Sequence, residues 1–269
     1  MLLSLHRDVG FLNEPKAIWS LIDPCTDMNG HYVASGGVFR REATDVTPQM
    51  RERAHRLFAR YLMLTGARRL LDKHSELTFR VGYLLELFPD ARIIFITRNG
   101  PDACHSIAQW SERHRVRVGD RVEDWWGRGD IKWRYLREQF IEVDPVYEEV
   151  RTLTGLDPVH KGALEWIITL REGMAQQRKY PHAVIRIAYE RLVENPRDEL
   201  GKLMQACELP LDPALLDHAV RHLYRTAPKP YPRLLAPVAR LFEETMALVG
   251  YGAISEEVPE SCKTNASES

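Results

Sequence analysis

The stretch Leu87-Phe-Pro-Asp-Ala-Arg-Ile-Ile-Phe-Ile-Thr97-Arg98-Asn-Gly-Pro-Asp102-Ala-Cys-His-Ser106-Ile107 decides how the rest of the chain is read. Residues 92–97 form an almost unbroken β-branched and aromatic run. A run that is apolar on both faces predicts a strand in the middle of a parallel sheet covered by helices. A polar turn follows at 98–102, and a helix is predicted from about Pro101 to Trp110, with proline in the first turn, where its missing N–H would be unpaired anyway. In open parallel sheets ligands bind beyond the carboxyl ends of the strands. The side chains placed there are Arg98 and, eight positions on, Ser106. A helix start offers free N–H groups and the positive end of its dipole, to which a guanidinium adds a bidentate fork and a serine its hydroxyl. Together they make a compact phosphate site. The alternative on chemistry alone is a surface arginine and a serine bonded to its own helix backbone.

Outward from this stretch the same pattern repeats. Met50, Ala54, Leu57, Phe58, Tyr61 and Leu62 fall at spacings of three and four and predict an amphipathic helix over 48–64. Residues 68–72 read as a short strand, and Val81, Leu84, Leu85 and Phe88 as a helix stopped by Pro89-Asp90. Downstream, a helix through Leu164, Ile167, Ile168 and Met174 leads to a strand over 183–188, a turn, and a helix with Leu200, Leu203, Met204 and Cys207. A last long helix carries Leu234, Leu235, Val238, Leu241, Phe242, Met246 and Val249. The expected fold class is therefore α/β, a parallel sheet flanked by helices. Trp125, Trp126 and Trp133 read as a helical insertion over that sheet.

Composition narrows the function classes. The chain has 269 residues, 44% hydrophobic and 28% charged, as in a soluble globular protein. Its 37 Lys and Arg balance 38 Asp and Glu, so there is no global field for gripping nucleic acid or an anionic membrane, and any anion site is local. No apolar run approaches the ~18 residues of a spanning helix, and the first segment lacks the basic start of a secretory signal. Cys25, Cys104, Cys207 and Cys262 are far apart, which excludes a zinc knuckle or disulfide scaffold and suits a reducing cytoplasm. No metal-ligand cluster is evident. Residues 1–254 read as one domain and 255–269 as a disordered polar tail. Asn265-Ala-Ser fits a glycosylation acceptor, which is not expected to be used without a secretory signal.

Residues 87–107 resemble the 3′-phosphate-binding strand, loop and helix of sulfotransferases that use 3′-phosphoadenosine 5′-phosphosulfate (PAPS), whose segment runs FPDA, apolar strand, R-[DN]-P-x-D-x-x-x-S. Arg98 and Ser106 match the two phosphate ligands. A second match is Ile187-Ala-Tyr189-Glu190-Arg-Leu-Val-Glu-Asn-Pro196 with Glu208-Leu-Pro-Leu-Asp-Pro213, similar to the family's strand end and following helix. By that resemblance Tyr189 lies near the adenosine. A looser match is Val9-Gly-Phe-Leu-Asn-Glu14-Pro15. The resemblance spans nearly the whole chain before the tail and implies a P-loop-NTPase-like sulfotransferase fold, PAPS as co-substrate, no metal, and a small-molecule or carbohydrate acceptor with a hydroxyl or amine.

The resemblance also implies residue roles. The base that takes the acceptor proton is Glu14 or His74, and Lys73 is the cation beside the leaving oxygen. The alternatives are a helix-capping carboxylate for Glu14, a solvent-side imidazole for His74 and a surface amine for Lys73. Arg225-Thr-Ala-Pro-Lys229-Pro-Tyr-Pro-Arg233 lies where the family places a loop over the 3′-phosphate, so Lys229 and Arg233 are phosphate-contact candidates, or the segment is a rigid proline-rich connector. The tryptophans line an acceptor pocket or belong to the core. The family's first strand and its 5′-phosphosulfate loop, of the form P-R-S-G-T-T, have no counterpart in the sequence, whose first residues resemble the helix that follows that loop. Either the start codon lies upstream or the protein lacks them. The rival readings are an inactive, sulfotransferase-derived nucleotide-binding protein and a nucleotide kinase-like phosphate-loop enzyme, the latter disfavoured by the absence of Gly-Lys-Ser/Thr.

Overall fold

The computed structural model describes residues 2–252. The chain enters β1 (Val9–Asn13), α1 (Lys16–Ile22), α2 (Pro48–Thr65), β2 (Arg69–Lys73), α3 (Val81–Leu87), β3 (Ile93–Thr97) and α4 (Gly100–Arg113). It continues through β4 (Val116–Val118), β5 (Arg121–Asp124), β6 (Gly127–Arg128), α5 (Ile131–Leu136), α6 (Glu148–Arg151) and α7 (Pro158–Lys179). The last elements are β7 (Val184–Ala188), α8 (Tyr189–Glu194), α9 (Pro196–Ala206), α10 (Pro213–His222) and α11 (Ala236–Leu248).

Local chemistry sets the helix starts. Thr47, Asn99, Asp157 and Asp212 each accept a main-chain N–H from the first turn of α2, α4, α7 and α10, and each helix has proline at its start. Leu234 and Leu235 precede α11 rather than belonging to it, because Pro237 fixes the first turn there. The predicted tail lies outside the described residues.

The architecture is α/β, with parallel strands flanked by helices. β1 pairs with β2 from Val9↔Arg69 to Asn13↔Lys73, and β3 with β7 from Ile93↔Val184 to Thr97↔Ala188, both parallel. Leu71 and Ile94 pack on one apolar cluster, built from β7, α9 and α10, while Leu70 and Ile93 pack on another, built from α1, α2 and α3. β2 and β3 thus lie between the same two apolar layers. Each has one edge that pairs with no other described strand. The expectation that 92–97 is covered on both faces holds only in part. Phe95 and Thr97 are buried, but Ile96 is 54% exposed, since that side of the strand has no full helical cover.

The largest core forms where α4, α7 and α11 meet, around Cys104, Leu164, Ile168, Phe242 and Met246. Gly173 is required in it, because a Cβ there would collide with the Phe95 ring. The tryptophan-rich insertion is not helical throughout. β4, β5 and β6 form an antiparallel meander, and Trp125 and Trp126 sit in its second turn, with Trp133 alone on a helix. Trp126 and Trp133 are buried members of the main core, with Trp125 packed against it.

Candidate functional site

The candidate residues gather at the carboxyl ends of the four parallel strands. At the end of β1, Glu14 adopts φ +50°, a left-handed conformation that a non-glycine residue holds only when its surroundings impose it. Here Glu14 N donates to the Lys73 carbonyl at 2.9 Å, and Pro15 follows. The carboxylate accepts from Lys73 Nζ and lies 3.5 Å from Lys16 Nζ. Pro15, not Glu14, occupies the cap position of α1, and no side chain caps it. The capping alternative is therefore set aside. Partial burial works against the Glu14 charge, yet the Lys73 hydrogen bond and the two ammonium charges prevail, so its carboxyl is held below the ordinary range.

His74 follows β2 and is no solvent-side imidazole: its side chain is 2% exposed. Nε2 meets Glu76 Oε2 at 3.0 Å, and Nδ1 is buried without a partner. Glu76 is also 3.4 Å from Lys132 Nζ, which lies 2.6 Å from Glu165 on α7. The Trp125 indole donates to the same Glu165, and Lys132 sits over the Trp125 ring at 4.5 Å. Burial alone would neutralise Glu76, but Lys132 and His74 hold its carboxyl well below the usual carboxylate range. The sequence reading passed over Asp72. It accepts from Trp19 Nε1 at 2.6 Å, its other oxygen is unpartnered, and burial pushes its carboxyl up to about 6.

At the ends of β3 and β7 the second group assembles. The Arg98 guanidinium lies 4.9 Å from the centre of the Tyr189 ring, reaches Asp102 at 3.3 Å, and keeps a buried Nε without a partner. Ser106 stands one helical turn beyond Asp102, on the same stripe of α4, exposed and with no hydrogen-bond partner among the described residues. It does not bond its own helix backbone. Two further residues, Glu190 and Asp102, organise the corner, though neither has a role predicted from sequence. Glu190 accepts from Asn99 N at 3.0 Å and Asn99 Nδ2 at 2.8 Å, and Asp102 accepts from Asn99 Nδ2 at 3.1 Å. The signal was their place beside Tyr189 and Arg98 in the two motifs.

The irregular segment 223–235 straps across α4. Lys229 N donates to Asp102 Oδ1 at 2.9 Å, and His105 Nε2 meets the Pro230 carbonyl at 3.1 Å. The Lys229 N–H, the Asn99 amide and Arg98 outweigh the effect of burial and keep the Asp102 carboxyl below its usual range. The side chains of Lys229 and Arg233 are exposed and unpaired among the described residues. A cavity of about 70 Å³ opens between the strap and the strand ends, lined by Asn99, Asp102, Tyr189, Glu190 and Arg225 among others. One helix joins the two groups: on α7, Glu165 reaches toward His74 through Lys132 and Glu76, while the next residue, Trp166, donates to the Arg98 carbonyl at 3.1 Å. Among the described residues no His, Cys, Asp and Glu group could hold a metal, and no helix is long and apolar enough to cross a membrane.

Set beside known proteins, residues 2–152 match the model of a family described as "Sulfotransferase family". No curated protein matches the chain. Among solved structures it is similar to the sulfotransferase domain from the curacin biosynthetic pathway, at 14% identity and a TM-score of 0.44, over 73% of this chain and 68% of that one.

Proposed function

The chain belongs to the sulfotransferase family, and on that premise we propose that it moves a sulfuryl group from PAPS to a hydroxyl or amine of a small-molecule or carbohydrate acceptor. The observation that carries this reading is the Arg98 guanidinium, laid over Tyr189 with an unpartnered Nε and reaching Asp102, one helical turn before a Ser106 hydroxyl that has no partner among the described residues. That set offers a phosphoryl group on a ribose a planar fork of donors and a hydroxyl. Lys229 and Arg233 supply unpaired cations from the strap, and Tyr189 would stand beside the adenosine. When bound, the co-substrate supplies an activated sulfuryl group and a bisphosphate leaving group.

The chain's own residues then position the acceptor and manage a proton. Glu14, kept ionised by Lys73 and Lys16, takes the acceptor proton as the acceptor oxygen or nitrogen bonds to sulfur and the bond from sulfur to the bisphosphate oxygen breaks. Lys73 offsets the negative charge growing on that oxygen. Glu14 is preferred to His74 as base because the imidazole is buried and its Nε2 is engaged with Glu76. Calorimetry with adenosine 3′,5′-bisphosphate and adenosine 5′-monophosphate tests the reading. The bisphosphate should bind at least about tenfold more tightly, the worth of one charged hydrogen bond; equal affinities would overturn it.

A further inference from the structure

A second cavity, of about 90 Å³, is lined by Gly30, Ala34, Arg121, Arg128 and Ile131, none of which belongs to the groups above. We propose that it is an anion subsite for the acceptor, taking a carboxylate, phosphate or sulfate carried on an apolar body. That the anion belongs to the acceptor rests on the transferase reading; the subsite itself does not.

Strand register puts the charges on one face. Arg121 opposes Val118, Glu123 opposes Val116 and Arg128, and residues two apart on a strand share a face. Arg128 Nε is paired with Glu123 at 3.2 Å, and His31 shares the same carboxylate at 2.9 Å. Arg121 has no ion-pair or hydrogen-bond partner among the described residues. The charged groups that line the cavity are therefore two guanidinium groups, only one of which is paired with a carboxylate. Val116 and Val118 stand exposed on the same face, 57% and 45%, as an apolar ledge.

The opposite wall is prebuilt. The Asp27 carboxylate accepts from four main-chain N–H groups, those of Asn29, Gly30, Tyr32 and Val33, at 2.7–3.1 Å, which fixes the loop before any ligand arrives. Gly127 lets the meander close on that loop, because at φ +79° a Cβ would fall 3.0 Å from the Asn29 backbone. Asn29 is also the link to the strand ends: its carbonyl accepts from Arg128 N at 3.0 Å, and its Oδ1 from Lys16 Nζ at 3.1 Å. Lys16 in turn lies 3.5 Å from Glu14. Arg128 is thus linked to the proposed base through Asn29 and Lys16.

The test titrates the full chain with phenyl phosphate, benzoate and phenol by calorimetry. At least one of the two anions should bind and phenol should not, and the preferred anion names the acceptor's group. Arg121→Gln should weaken that anion by about tenfold, the loss of one charge-assisted hydrogen bond. The doubly substituted R121Q/R128Q should lose it altogether, and Arg98→Ala should leave it unchanged. Unaltered affinity in R121Q overturns the proposal, as does loss of the anion in R98A, which would place it at the strand ends of β3 and β7. Equal binding of phenol would also overturn it. Failure of adenosine 3′,5′-bisphosphate to bind the same preparation would remove the donor reading and leave the subsite standing. A melting temperature equal to that of the parent chain shows that R121Q is folded.

Discussion

The Trp166 indole donates to the main-chain carbonyl of Arg98 at 3.1 Å. That bond fixes the turn from which the Arg98 side chain leaves β3, and Trp166 is itself buried against Phe242. Trp166→Phe keeps most of the packing but leaves the carbonyl unpaired. We expect a loss of about 1–3 kcal/mol in denaturant unfolding, from the orphaned acceptor and the smaller ring. Bisphosphate affinity should fall less than on removal of Arg98 itself, and a larger fall in W166F would mean that the indole, not the guanidinium, dominates the corner.

Arg98→Ala should weaken adenosine 3′,5′-bisphosphate by ~1.5–3 kcal/mol and Ser106→Ala by ~0.5–1.5 kcal/mol, the worth of a charged and a neutral hydrogen bond. Neither should alter adenosine 5′-monophosphate. Calorimetry on the pair separates a 3′-phosphate contact from a general loss of nucleotide binding, because only the former spares the monophosphate.

Much of this corner was legible in the sequence because its signals are local. The β-branched run, the proline-started helix and the eight-residue offset from Arg98 to Ser106 all lie within one stretch. β1 is hard to read because Val9–Asn13 is five residues with a glycine at its second position and shows no clean alternation. The β4–β5 hairpin had a readable signal in Arg115-Val-Arg-Val-Gly-Asp-Arg-Val-Glu123, period-two alternation around a Gly-Asp turn, but the three tryptophans beyond it drew the reading toward a helix. The Glu76, Lys132 and Glu165 network could not be read, since its members lie on three distant segments that only tertiary folding brings together.

Glu14→Gln should lower sulfuryl transfer by ~10²–10⁴-fold with bisphosphate affinity retained, as expected for loss of a general base. Lys73→Met makes the pH test. With Lys73 present, its hydrogen bond and charge hold the Glu14 carboxyl below 4.5, so the acidic limb of kcat/KM lies below that pH. Without Lys73, burial is opposed by Lys16 alone and the limb should move upward in pH. An unmoved limb would show that Glu14 does not carry the rate.

Asp72→Asn should stabilise the chain at neutral pH. The folded-state value, about 6, lies above the ordinary 3.8, so the native state holds the proton more tightly than the unfolded chain. Stability from this group is therefore complete below about 4 and is lost as pH rises through about 6. At ~1.4 kcal/mol per pKa unit, the loss at pH 7 reaches about 3 kcal/mol. Asparagine keeps an oxygen for the Trp19 indole and sheds the charge. Melting curves of D72N and the parent should converge at pH 4 and separate by pH 7, and curves that run parallel across that range would contradict the burial argument.

Glu76→Gln should have the opposite sign. Glu76 is buried between His74 and Lys132 and keeps its charge because those partners face it. Its carboxyl is depressed well below 4.5, so its contribution is present above that pH and is lost as the solution is acidified toward the folded value. Glutamine preserves the shape but leaves Lys132 with Glu165 alone and His74 with no carboxylate. Breaking a buried pair from one side costs about 3–5 kcal/mol, because the remaining charge stays out of water. Lys132→Met in the same background removes the ammonium but leaves Glu165 with the Trp125 indole alone, so the loss in the double variant should be less than the sum of the two single losses. Urea unfolding at pH 7 of E76Q, K132M and the double variant reads this directly: a double variant whose loss equals the sum of the single losses would mean that the two side chains act independently, and the network would then be no unit.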